Sequence, residues 1–148
     1  IEGINSRLDG IQAAILSVKL PHLAQWTQLR QERAQRYSEL LASVEGVTTP
    51  HVAPEREHVW HLYVIEHQKR DELAQHLGSA GIPTVVNYPV ALPFLPAYRR
   101  FNHLPGDFPN AYANQSRILS IPLYPEFSNA QMDKVVASIA EFCSDNQL

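Results

Sequence analysis

The 148-residue chain is 45% hydrophobic and 18% charged, enough apolar matter to bury a core and too much for a disordered tail. Its formal net charge of −3, with Arg and Lys scattered rather than striped, argues against nucleic-acid binding by phosphate neutralisation. One cysteine, Cys143, excludes an internal disulfide, and no apolar leader or run of ~20 apolar residues is present, so a cytoplasmic protein with no membrane contact is expected.

Along the chain, residues 5–44 carry a helical period. Apolar side chains fall at Ile4, Leu8, Ile11, Ile15 and Val18, then at Leu23, Trp26, Leu29, Tyr37, Leu40, Leu41 and Val44. Asn5 is placed to cap the first turn. Pro21 lacks an amide proton and clashes with the preceding turn, which predicts a kink or a division there, and Gly46 marks the end. A helical run of ~40 residues is long for the rim of a small domain. Its first part is expected to pack on something outside this chain, and its second part to lead into the domain proper.

Residues 59–65 are rich in β-branched and aromatic side chains and predict a strand. Residues 71–80 predict a short helix with Leu73 and Leu77 on one face and Gly81 as its stop. Residues 82–88 predict a second strand, since Pro83 is tolerable at a strand's start or edge. Five prolines follow, Pro89, Pro93, Pro96, Pro105 and Pro109, and predict an ordered loop without repeating structure. A helix over 110–117, a strand over 119–123 and a helix over 129–142 complete the order. The last helix opens on a capping box from Ser128 to Gln131 and turns Met132, Val135, Val136 and Ile139 inward. Three short strands alternating with helices predict a small α/β layer with helices on one face.

Seven histidines invite a metal site, with His58, His61 and His67 as the nearest group. On one strand His58 and His61 face opposite sides, while His61 and His67 lie ~20 Å apart at ~3.3 Å per residue, so no metal is expected. There is no G-x-S-x-G elbow, and Cys143 has no histidine near it in sequence. G-x-G-x-x-G and P-loop patterns are also missing. Glu55, Glu57, Asp71 and Glu72 stand in polar, surface-like contexts. Tyr88 reads as a half-buried packing residue.

Four phrases carry a more specific signal: Asn5-Ser6-Arg7-Leu8-Asp9, then His61-Leu62-Tyr63-Val64-Ile65, Asn87-Tyr88-Pro89, and Leu119-Ser120-Ile121-Pro122-Leu123-Tyr124-Pro125. In this order, from Gly3 to Phe142, they resemble the C-terminal part of DegT/DnrJ-type aminotransferases, pyridoxal-phosphate enzymes that aminate keto sugars carried on nucleotides. The resemblance implies the small C-terminal α/β domain of a fold-type I enzyme (47–148). The kinked helical segment 1–46 would link it to a large domain. It implies a homodimer, with Asn5 reaching the cofactor phosphate of the neighbouring subunit and Arg7 supporting it. Asn87 and Tyr88 would belong to the wall of the substrate site. Where the family often has His-Tyr-Pro and a second histidine a few residues on, this chain has Asn87-Tyr88-Pro89 and Leu92-Pro93-Phe94.

Such an enzyme needs a Schiff-base lysine, and none of Lys19, Lys69 and Lys134 stands where the family keeps it. The chain is therefore expected to be the second part of an enzyme and not catalytic alone. Its opening on Ile1 rather than Met agrees. In the whole protein the resemblance implies transfer of an amino group, commonly from glutamate, to a keto sugar nucleotide. Dehydratase and regulatory members of the same family stay open as alternatives, as does a stand-alone interaction module.

Overall fold

A computed structural model describes residues 6–146, and Asn5 lies outside them. Among the described residues there are five α-helices and a two-stranded antiparallel sheet. Helix α1 spans Gly10–Lys19, a 3-10 turn Leu20–His22, and α2 Leu23–Leu41. Pro21 divides the run as expected, because a proline in that turn withholds the amide that an unbroken helix would use. The cap is Asp9 rather than Asn5: Asp9 Oδ1 accepts from Gln12 N at 2.8 Å and Gln12 Oε1 accepts from Asp9 N at 3.3 Å. This reciprocal pair satisfies two orphan donors at once, which fixes the helix start after Asp9. At the other end α2 stops at Leu41, and Gly46 takes the left-handed backbone (φ 83°) in the turn beyond.

Strand β1 (Tyr63–Glu66) pairs with β2 (Ile118–Ile121), Tyr63 opposite Ile121 and Ile65 opposite Leu119. Those four side chains share one face and are buried. Against them pack α2 through Tyr37 and Leu41, α3 (Arg70–Ser79) through Leu73 and Leu77, and α5 (Asn129–Asp145) through Met132, Val135 and Ile139. The helices cover one face, as the sequence pattern predicts. The capping box of α5 is present at Ser128 and Gln131.

The third expected strand is reduced to one residue pair. Val85 pairs with Ser120 on the far side of β2, and Thr48 pairs with Glu66 beside β1. Pro83 has no amide to donate, so the ladder does not extend toward it. The strand expected over 59–65 is also shorter, because Trp60 adopts φ 51° and turns its ring into the core against Tyr63, with centroids 5.3 Å apart. His58 and His61 consequently do not lie on a strand, and the His58 ring packs on Trp60 instead. Residues 89–109 are ordered as three 3-10 turns, and α4 covers Pro109–Asn114.

Arginines tie the helices to the chain between β2 and α5. Arg30 Nη1 donates to Leu123 O at 2.9 Å, and Arg33 Nε donates to Phe127 O at 2.7 Å. Buried Arg70 donates to Ile118 O at 2.9 Å and pairs with exposed Asp71. Each bond satisfies a carbonyl that the short sheet leaves without a ladder partner.

Candidate functional site

Ser120 is the junction around which the predicted substrate wall is built. Its backbone donates to Val85 O at 2.8 Å and accepts from Val85 N at 3.1 Å, which brings the chain past β2 to the Asn87–Tyr88 turn, a cis peptide. Ser120 Oγ then donates to Asn87 Oδ1 at 3.0 Å. The amide of Asn87 is thereby oriented, and its two N–H donors have no partner among the described residues. Tyr88 is 72% exposed, so the packing role expected for it gives way to a phenol standing in solvent. An oriented amide beside an uncovered phenol suits hydroxyl-rich ligands, which both donate and accept.

Arg7 is exposed on the segment before α1 and forms no ion pair or hydrogen bond among the described residues. No hydrogen bond, ion pair or ring contact joins it to Asn87 or Tyr88. Within one chain these two predicted groups are not brought together.

Helix α1 departs from the single stripe that its spacing suggests. None of its residues is buried. Ile11, Ile15 and Val18 line one side, while Leu8, Leu16, Leu20, Leu23 and Trp26 on the other form a groove of about 500 Å³. The signal for this second face lies in the Leu16–Leu20 spacing. A helix apolar nearly all round is of the kind found inside a structure rather than on its rim.

The lysines occupy three unlike places. Lys19 Nζ sits 6.0 Å from the ring centre of Trp26. Lys69 Nζ donates to Asn146 Oδ1 at 3.5 Å, and Lys134 Nζ donates to Ala80 O at 2.9 Å.

Cys143, without a histidine near it in sequence, has one in space: its Sγ lies 3.8 Å from His67 Nε2. His67 Nδ1 accepts from Lys69 N at 3.0 Å, so the neutral ring carries its proton on Nε2, toward the sulfur. Burial lowers the His67 pKa, and burial raises that of the Cys143 thiol. Both shifts favour a neutral pair, the opposite of an activated thiolate.

The linkage has a definite sign. A histidine depressed in the folded state binds more protons when unfolded, so its stabilising contribution is complete above its ordinary value near 6.5 and lost as pH falls through the lowered one. His67→Asn keeps an acceptor for Lys69 N and cannot titrate. Urea midpoints at pH 7.5 and 5.5 are expected to fall further for the wild type than for this variant, and equal losses would show that His67 does not set the slope.

The chain matches the model of the DegT/DnrJ/EryC1/StrS aminotransferase family over residues 1–140. It is 44% identical over 142 residues to a pleiotropic regulatory protein of Geobacillus stearothermophilus, covering 95% of this chain and 38% of that protein. It is 37% identical over 141 residues to a dTDP-3-amino-3,4,6-trideoxy-alpha-D-glucose transaminase of Streptomyces venezuelae, covering 95% and 37%. The crystal structure of S. venezuelae DesV in complex with a ketimine intermediate superposes with a TM-score of 0.86 at 35% identity, covering 97% of this chain and 38% of that one. The chain thus spans less than two-fifths of the length of these relatives.

Proposed function

The chain belongs to the DegT/DnrJ/EryC1/StrS aminotransferase family, and we propose that it forms the C-terminal part of a pyridoxal-phosphate-dependent aminotransferase acting on a keto sugar nucleotide. The observation that carries this reading is α1. The body closes its own core, yet the helix leading into it buries none of its residues. Such an arm needs a cover on both faces: a large domain joined through residues 1–46 on one, and a second copy in a homodimer on the other. The protein acts in the cytoplasm. No helix among the described residues is long and apolar enough to cross a membrane.

Among the described residues, the group suited to the cofactor is Arg7, at its phosphate. Arg7, uncommitted and exposed, has the forked donor set that a phosphate dianion accepts, and Asn5 adds an amide beside it in sequence. The three lysines do not fit the covalent role, given their partners and exposure. When bound, pyridoxal phosphate supplies an electron sink for the carbanion formed as the amino group moves. The chain's own share is positional. Asn5 and Arg7 hold the phosphate across the dimer, Asn87 donates to the sugar from an amide fixed by Ser120, and Tyr88 stands in the wall of the substrate site.

Two experiments test the reading. The chain alone, mixed with pyridoxal phosphate and reduced with borohydride, is expected to yield no stoichiometric adduct on Lys19, Lys69 or Lys134, since each already lies against a ring, an amide or a carbonyl of this chain. An adduct on any of them overturns the half-enzyme reading. The intact protein is expected to move an amino group from glutamate to a dTDP-linked keto sugar. The regulatory name of the Geobacillus relative supports a second reading, a regulatory member of the family. A protein that binds the cofactor but aminates no keto sugar would favour it.

A further inference from the structure

Resting on the reading of the substrate as a sugar nucleotide, we propose that Ser120 determines specificity: acting through Asn87, it makes the wall of the site welcome a sugar oxygen and turn away a sugar ammonium. Ser120 stands in β2 between Leu119 and Ile121, whose side chains enter the core. Alternation along a strand sends its hydroxyl out of the opposite face, the one the helices leave uncovered. Even so, Ser120 is only 5% exposed. Among the described residues its side chain makes one hydrogen bond, the one it donates to Asn87 Oδ1. The turn that carries Asn87 is tied down on both sides. Val85 exchanges two backbone bonds with Ser120, and Ala91 N donates to Gln115 Oε1 at 3.0 Å. A group held in this way has little freedom to rearrange around a ligand.

The consequence is a fixed polarity. A free asparagine amide can turn about its last bond and offer a ligand either its oxygen or its nitrogen. With Oδ1 engaged by the Ser120 hydroxyl, Asn87 presents its two N–H donors. A hydroxyl or keto oxygen on the sugar accepts from such donors. The ammonium of an amino sugar carries donors only, so the two groups face each other unpaired. Asn87 is half-buried, which limits how far water can stand in for the missing partner. Without the Ser120 hydroxyl the amide is free to turn its oxygen toward an ammonium. The discrimination then disappears although Asn87 is still present. Ser120 is thus a positioning residue, and its effect is read as a ratio of affinities rather than as affinity itself.

The test is equilibrium binding to the intact protein of dTDP-glucose, of analogues with each sugar hydroxyl in turn replaced by an amine, and of dTDP as the sugar-free reference. Wild type is expected to bind at least one amino analogue about tenfold or more weakly than dTDP-glucose. Ser120→Thr and Ser120→Val have the same shape and disturb packing alike, but only threonine keeps the hydroxyl. The threonine variant should preserve the ratio for that analogue, and the valine variant should bring it close to unity. Affinity for dTDP should be the same in all three proteins. Asn87→Ala should also level the ratio, and adding Ser120→Val to it should change nothing further, as expected of one group acting through another. Equal ratios in the threonine and valine variants overturn the proposal, as does a wild type that binds every amino analogue as tightly as dTDP-glucose. Amino transfer by the wild type keeps the two claims apart. Transfer with equal ratios in the two variants sinks the role of Ser120 alone, whereas a hydroxyl-dependent ratio without transfer sinks the aminotransferase reading alone.

Discussion

The 148-residue chain is expected to self-associate, and replacing Leu8 and Ile15 together by glutamate is expected to leave it a monomer. In the single chain Leu8 is 63% exposed, Ile15 55% and Ile11 76%, values suited to a surface that another copy covers. Burying side chains of this kind gains roughly 1.5–3 kcal/mol each, so losing two costs about 3–6 kcal/mol, and at about 1.4 kcal/mol per tenfold the dimer weakens by a hundredfold or more. The body should not notice, since α1 contributes nothing to its core and glutamate is a good helix former at position 15. Sedimentation of both proteins, with thermal melts as a control, decides the matter. Monomers of equal stability in both cases would mean that neither Leu8 nor Ile15 pairs copies of the chain.

How far the sequence reveals this molecule depends on the range of the interactions involved. Helix α5 is readable because its cap, Ser128 with Gln131, and its inward row of Met132, Val135 and Ile139 lie within a few residues of one another. Helix α3, with Leu73 and Leu77, is readable for the same reason. The sheet is harder. Trp60 has the composition of a strand residue, but its ring is worth more against Tyr63 in the core than in an extended ladder, and the chain bends to put it there. Val85 alone reaches β2, because pairing depends on where Ser120 lies, 35 residues later. The site shows the same division. The phrases around Asn87 and Tyr88 can be picked out, but the Ser120 hydroxyl that orients Asn87 cannot, nor can the approach of His67 to Cys143 across 76 residues. Asn5 resembles a cap because polar residues at helix starts usually are caps. Asp9 fills that role, and Gln12 rather than Asn5 completes the box.

That last point sharpens the test of the cofactor contact. In the intact protein Asn5→Asp is expected to lose cofactor affinity while keeping the thermal stability of the cofactor-free form. A hydrogen bond to a charged phosphate contributes about 1.5–3 kcal/mol, and a carboxylate facing the dianion adds repulsion, so the cofactor Kd should rise roughly tenfold to more than a hundredfold. Asp9→Ala is the counterpart. It removes the acceptor for Gln12 N and should cost about 1 kcal/mol of helix stability, with little change in cofactor affinity. The two variants are thus expected to move different observables, one the affinity and the other the melting temperature. Both measurements belong at one fixed salt concentration, because screening weakens the repulsion that Asn5→Asp introduces. Equal cofactor affinity for wild type and Asn5→Asp would show that Asn5 does not hold the phosphate.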